Sequence, residues 1–345
     1  MLDKHPIVRE LQPEIADWQT PFSRPDRLHD PLYVICPIFN ATRYRSRWRL
    51  YEDFAKHVAE AGAILVTVEA AFGDRDFAIT QPDDRWDVQL RTQSEVWLKE
   101  NMINIGAARL PADAKYIAWV DGDTQFARPD WANETLHQLQ HYNFVQMWSQ
   151  YQDLTPDHEL IGTAHSFADN WLKNGYIKPK GKKPYGYYPY GKVGYPGAPG
   201  LAWACRREAW DAVGGLIDFC ILGACDWYMA HSLIGRLDDV LRPEYSNRYC
   251  AKMREWQDRA QRLRNSSKLG IMGVVKGLAL HYWHGKKTNR KYGTRDQILV
   301  KHDFNPDLDL KRDIQGLYQL TTRDTDMAEE IRRYFRERNE DSIDL

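Results

Sequence analysis

The 345-residue chain is short of cysteine, of net charge and of long apolar runs. Its five cysteines (Cys36, Cys205, Cys220, Cys225 and Cys250) are an odd number with no Cys-x-x-Cys spacing. A disulfide framework or zinc knuckle is therefore not expected, and reduced thiols in a cytoplasmic setting are. The apolar runs are strand-sized, well below the roughly 18 residues of a membrane span. The opening residues lack the apolar stretch of a secretory signal, so no membrane partner is expected. Lys plus Arg number 47 against 48 Asp plus Glu, a net charge of −1. Taken alone, that balance argues against a polyanionic partner.

The distribution argues otherwise. Residues 171–192 hold six lysines and no acid, and residues 241–295 carry +11, which leaves the rest of the chain at −18. Such asymmetry points to a surface that meets a polyanion. Aromatics are plentiful, with 13 Trp, 19 Tyr and 11 Phe, enough to build a core and still offer flat surfaces to bases or sugars.

Read in order, the polar, Pro-punctuated residues 1–30 form an extension. Leu32–Pro37 is a strand buried on both faces, and Arg47–Ala61 carries Trp48, Tyr51, Phe54 and Val58 at helical spacing. Ile64–Val68 is the next buried strand, a helix is expected over Gln93–Ala108, and Tyr116–Val120 is a third strand. Trp131–His141 and Phe144–Trp148 continue the alternation, which predicts βαβ crossovers and a mostly parallel sheet. Residues 171–200 interrupt it with a long Tyr-, Lys-, Gly- and Pro-rich loop. Helices follow at Arg206–Val213, Asp226–Ile234 and 247–268, then a late strand at Leu278–Trp283 and a charged helix over 324–338.

The strongest chemical signal is Asp121-Gly122-Asp123 at the end of the third strand. Ligands of open α/β sheets bind beyond the carboxyl ends of strands, and two carboxylates so spaced can reach a divalent cation that neutralises a diphosphate.

The stretch Asn101–Asp123, with Asn104-Ile105-Gly106, Tyr116-Ile117 and the Asp-Gly-Asp triplet, resembles the nucleotide-sugar half of GT-A-fold glycosyltransferases. Leu32–Asn40 is similar to the first strand of that fold. Gly200–Ala204, Arg206–Trp210, Gly214-Gly215-Leu216-Ile217-Asp218 and Gly223–Asp226 resemble its acceptor-side pattern. The resemblance implies a GT-A domain over residues 31–300. Residues 31–150 would be its nucleotide-sugar half, 151–300 its acceptor half, and 301–345 a helical C-terminal tail. It further implies a transferase using a nucleotide-sugar donor, with UDP as the expected carrier, and Mn²⁺ or Mg²⁺. Asp121 and Asp123 would hold the ion, with His284 as a third ligand and His281 in reserve. Strand alternation puts 281 and 284 on opposite faces, so both are not expected to bind one ion. Asp226 matches the general base of inverting members, although it also reads as a helix N-cap. The preceding position departs from the pattern, with Cys225 where a Glu is usual.

Pro37, Asn40, Arg43, Glu69, Asn104, Asp121 and Lys286 are the expected donor-side contacts. Lys180, Lys182, Lys183, Tyr185, Tyr187, Tyr188, Trp227 and Arg290 are the expected acceptor-side contacts. Lysines attract phosphates and tyrosines stack on bases or sugars, which suits a DNA acceptor. The resemblance to phage GT-A proteins implies a hydroxymethylated pyrimidine in phage-type DNA as that acceptor. The alternatives are a cell-surface polysaccharide or protein acceptor, or a non-catalytic nucleic-acid-binding protein. A nucleotidyltransferase wants a Gly-rich phosphate loop that Pro37–Asn40 does not provide.

Overall fold

The computed structural model describes residues 30–179 and 195–344. β1 (Leu32–Phe39), α1 (Arg45–Glu60) and β2 (Ile64–Phe72) come first, and α1 buries Leu50, Tyr51, Phe54 and Val58 along one stripe. β3 (Asp87–Thr92) is an edge strand that the sequence reading missed. Only Val88, Leu90 and Thr92 on alternate positions are buried, so it lacks the apolar run of its neighbours. α2 (Lys99–Ala108) begins at Lys99 and not at Gln93. β4 (Tyr116–Val120), β5 (Thr124–Phe126), α3 (Trp131–Gln138) and β6 (Tyr142–Gln146) follow. Next come β7 (Gln150–Leu154), β8 (Leu160–His165), α4 (Phe167–Asn174), β9 (Ala202–Arg206) and α5 (Arg207–Val213). The remainder is α6 (Cys225–Leu233), α7 (Asn247–Ser266), β10 (Gly270–Val274), β11 (Leu278–His281), α8 (Gln297–Lys301), α9 (Pro306–Asp309), β12 (Leu310–Arg312), β13 (Tyr318–Leu320) and α10 (Thr325–Glu337).

Among the described residues the central sheet has seven strands in the order β10-β6-β9-β4-β1-β2-β3. Its pairings are parallel except those of β9, which runs antiparallel to β4 and β6. The sheet is thus mostly parallel with helices on both faces, the α/β architecture that the alternation predicts. A smaller sheet, β5-β11-β7-β8, stands beside it. Alternation along β1 divides the core. Tyr33 and Ile35 pack with α2 and the helices α5–α7, while Val34 and Cys36 pack with Phe54 and Trp131 on the other face. Gly106 lets α2 lie close to the sheet, since a Cβ there would stand 2.8 Å from Val68 Cγ2 and 3.0 Å from Ile35 Cγ2. No described helix is long and apolar enough to cross a membrane.

Candidate active site

A cavity of about 770 Å³ opens beyond the carboxyl ends of β1 and β4. Strand register builds its floor. β4 runs into Asp121-Gly122-Asp123, and β5 then pairs antiparallel with β11, setting Thr124 opposite His281. β11 pairs in turn with β7, setting His281 opposite Asp153. Asp123, His281 and Asp153 are thereby lined up by backbone ladders alone.

Asp123, His281 and His284 converge there, their donor atoms all within 4.8 Å of one another. His284 Nε2 lies 2.9 Å from Asp123 Oδ2, the two Nε2 atoms are 3.3 Å apart, and His281 Nε2 is 3.8 Å from Asp123 Oδ1. Donors around one ion, bonded at about 2.0–2.2 Å, stand roughly 3.0–3.4 Å apart, so the 3.3 Å spacing fits, 2.9 Å is slightly close and 3.8 Å slightly wide. The chemistry of the donors fits as well. Asp153 Oδ1, 2.5 Å from His281 Nδ1, accepts a hydrogen bond from the Nδ1–H and leaves the Nε2 lone pair facing the cluster. His284 Nε2 stands 2.9 Å from both Asp123 Oδ2 and the Arg290 Nη2 donor, so Arg290 has to give way before that lone pair can meet an ion.

The expectation that one ion could not see both histidines is corrected. β11 ends at His281, and the chain leaves strand geometry before His284. The two-residue alternation therefore does not extend that far, and both rings turn to the same point.

Burial would raise the Asp123 carboxyl, but the two imidazoles, His284 first, hold it well below the usual carboxylate range. Asp153 is likewise pushed up by burial and pulled below that range by His281 and Lys287. Burial lowers His281 against the opposing pull of Asp153.

Asp121 lines the same cavity but lies outside the cluster, paired with the ammonium of Lys99. Burial raises the Asp121 carboxyl, opposed by Lys99. The next residue on α2, Glu100, also reaches the cavity; its Oε2 accepts from Trp97 Nε1 at 3.1 Å. Burial lifts Glu100 to about 7, with Lys99 opposing and Asp226 adding to the rise. Asp226 stands in the first turn of α6, where Oδ1 accepts the Trp227 amide at 2.8 Å and Oδ2 faces Gly200. The N-cap position belongs to Ala224, so Asp226 is not the cap. Arg47, Lys287, Arg290, Lys291, Arg295 and Arg338 complete a basic wall.

The other expected residues divide. Pro37 lines the main cavity. Asn40, Arg43 and Glu69 line a separate hollow of about 370 Å³ beyond β1 and β2. Glu69 is fully engaged there, accepting from the amides of Ala78, Ile79 and Thr80 and from the Thr80 hydroxyl at 2.7–3.1 Å. The Asn40 amide likewise ties off its own turn through both backbone groups of Tyr44. Asn104 is not brought to the cavity; it bonds Leu216 and Asp218 at a third hollow. Lys287, not Lys286, lines the cavity. Trp227 is buried against His231 and does not line it. Arg290 is a buried wall residue rather than part of an open acceptor face. Lys180, Lys182, Lys183, Tyr185, Tyr187 and Tyr188 lie outside the described residues.

The basic segment 241–295 is also less free than its count suggests. Arg242 pairs with Asp296, Arg248 and Lys252 with Asp307, Arg254 with Asp238, Lys276 with Asp169 and Lys287 with Asp153. Acids from elsewhere in the chain neutralise much of it. The sequence reading also missed Arg47, Lys99, Glu100, Asp153, Arg338 and Glu340, none of which sits in a motif.

No protein-family model and no curated protein matches the chain. Solved structures do align with it. Drosophila β1,4-galactosyltransferase 7 aligns in a complex with manganese, UDP-Gal and xylobiose at 11% identity and TM-score 0.36, over 87% of this chain and 98% of that one. Its catalytic domain with xylobiose aligns at 12% identity and TM-score 0.32, over 62% of this chain and 63% of that one, so the chain spans under two thirds of that structure. A glycosyltransferase involved in glycosylation of the major capsid of PBCV-1 aligns at 9% identity and TM-score 0.32, over 75% and 96%. The 4-diphosphocytidyl-2C-methyl-D-erythritol synthase of Anaerococcus prevotii aligns at 12% and 0.32, over 72% and 89%.

Proposed function

We propose that this chain is a metal-assisted glycosyltransferase that moves a sugar from a nucleotide diphosphate, UDP by preference, to an acceptor hydroxyl. The observation that carries the reading is the convergence of Asp123, His281 and His284 on the floor of a cavity that also holds Asp226 and a basic wall. Those three residues would hold the ion, and two imidazoles favour Mn²⁺ over Mg²⁺, which prefers oxygen. Such an ion offsets the charge of the departing diphosphate. Lys287, Arg290 and Lys291 offer further cationic donors to its phosphate oxygens.

Asp226 takes the proton of the acceptor hydroxyl as that oxygen bonds to the anomeric carbon. The bond from that carbon to the phosphate oxygen breaks, and its electron pair leaves with the diphosphate. Attack from the face opposite the leaving group inverts the centre. In the family this chain resembles, a Glu precedes the base. Here Cys225 stands at that position, and Glu100 brings a carboxyl to its side from α2. Largely protonated below about pH 7, Glu100 can donate to a sugar oxygen while Asp226 accepts.

The proposed acceptor is a hydroxymethylated pyrimidine in DNA, supported by the six lysines and the tyrosines of 171–192. The test is mass spectrometry of reactions containing several UDP-sugars, with and without Mn²⁺. Each is run against hydroxymethylcytosine DNA, hydroxymethyluracil DNA and cell-surface glycans. Mn²⁺-dependent UDP release with sugar on the DNA supports the full reading. Transfer to a glycan or protein reassigns the acceptor. DNA binding with no affinity for any UDP-sugar would sink the transferase itself.

A further inference from the structure

The two imidazoles of the cluster are backed unequally. Behind His281, Asp153 accepts the Nδ1 proton at 2.5 Å and is itself held by Lys287. Behind His284, Nδ1 is buried and makes no hydrogen bond. Facing it at 3.8 Å is Oε2 of Glu340, a carboxylate 1% exposed. Arg47 grips Glu340 through two nitrogens at 2.5 and 2.8 Å, and Arg338 Nε adds a third contact at 2.6 Å. Two guanidiniums thus hold one buried carboxylate in place 3.8 Å from an imidazole nitrogen that makes no hydrogen bond.

Glu340 belongs to the strap 338–344 that follows α10. Asp341 accepts the amides of Arg45 and Ser46 at 2.9 and 2.8 Å and so caps α1, whose own Tyr44 supplies no side-chain cap. Ser342 O accepts from Trp283 Nε1 at 2.6 Å, and the Asn339 amide donates to the Tyr44 hydroxyl at 3.0 Å. The strap crosses the His284 turn directly. Gly285 has φ +83°, and a Cβ there would lie 2.8 Å from Asn339 O.

We propose that Glu340 is a positioning residue for the metal site. It accepts the His284 Nδ1 proton and so turns the Nε2 lone pair to the ion, which couples docking of the strap to metal binding. The inference rests on reading Asp123, His281 and His284 as metal ligands. With an ion held by Asp123, His281 and His284, the Nδ1–H of His284 would face Glu340 Oε2, which stands 3.8 Å away. Linkage is reciprocal, so what the strap gives the ion, the ion returns to the strap.

The test is Mn²⁺ titration of the full chain, followed by the electron paramagnetic resonance of free Mn²⁺, together with amide hydrogen exchange. Glu340→Gln is expected to weaken Mn²⁺ binding by about 10–100-fold, the range for groups that orient metal-bound histidines. Ser342→Ala, which keeps its backbone acceptor, is expected to change it less than about twofold. In the unmodified chain, Mn²⁺ is expected to slow exchange at the Arg45 and Ser46 amides, which Asp341 caps. That arm needs no variant and decides the matter if Glu340→Gln fails to fold. Unchanged Mn²⁺ affinity in folded Glu340→Gln, or exchange at those amides indifferent to Mn²⁺, overturns the proposal. A flat titration of the unmodified chain instead refutes the metal site itself.

Discussion

His281 lies in a strand, and the carboxylate behind it comes from the adjacent strand at the paired register position. His284 lies three residues on, outside any strand, and its carboxylate comes from a segment docked some fifty residues further along the chain. Ladder hydrogen bonds set the first couple, and its contact is already made at 2.5 Å. Packing and charge set the second, which is open at 3.8 Å. The difference teaches that two histidines of one proposed metal site can be backed in different ways, one by a paired strand and the other by a docked strap.

Breaking the shared member removes the comparison altogether. Asp123→Ala is expected to abolish Mn²⁺ binding and lower turnover by at least about 10³-fold, read as UDP release. Asp226→Asn leaves both couples intact and is expected to cost about 10²–10⁴-fold in kcat with Mn²⁺ affinity unchanged. A parallel loss of Mn²⁺ binding would move Asp226 into the metal site. Asp153→Asn tests the rigid couple by the titration already described for Glu340. A loss of about 10–100-fold is expected, and a Trp283-region hydrogen-exchange pattern that stays native, because Asp153 acts through His281 and Lys287, which lie outside the strap. If exchange there quickens, the two couples are not separable.

Smaller effects test the far side of the cavity. The native state keeps the Glu100 proton to about pH 7, whereas the unfolded chain gives it up near 4.5. The folded chain therefore binds more protons across that window, and this carboxyl subtracts stability as pH rises through it. Glu100→Gln is expected to gain stability relative to the parent on going from pH 5 to pH 8, read from urea midpoints; a constant difference would show that Glu100 ionises normally. Gly106→Ala is expected to lose stability, since about 1–3 kcal/mol of overpacking against Val68 and Ile35 outweighs the roughly 1 kcal/mol of helix propensity gained.

The buried strands were legible because each is a continuous apolar run, and β3 was not, because an edge strand is apolar only on alternate positions. Asp123 was legible because its motif ends a buried strand. His284 was legible only through the resemblance, and His281 was set aside by carrying strand alternation past the end of β11. Asn104 sits inside a motif-like stretch, yet its amide is used to hold Leu216 and Asp218. The charge count misled for a related reason. Composition records how many cations a segment holds, whereas the acids that neutralise Arg248, Lys252 or Lys276 lie 55–107 residues away.

By itself the sequence determined the alternating strands and helices, the mostly parallel sheet they imply and the carboxylate pair at the end of β4. Those features follow from local periodicity, which needs no distant partner. Tertiary structure alone decided that Asp121 pairs with Lys99, that His281 joins Asp123 and that Glu340 stands behind His284. Each of these depends on side chains brought together from separate elements. Asp153 reaches His281 across 128 positions and Glu340 reaches Arg47 across 293, distances over which pattern along the chain carries no information.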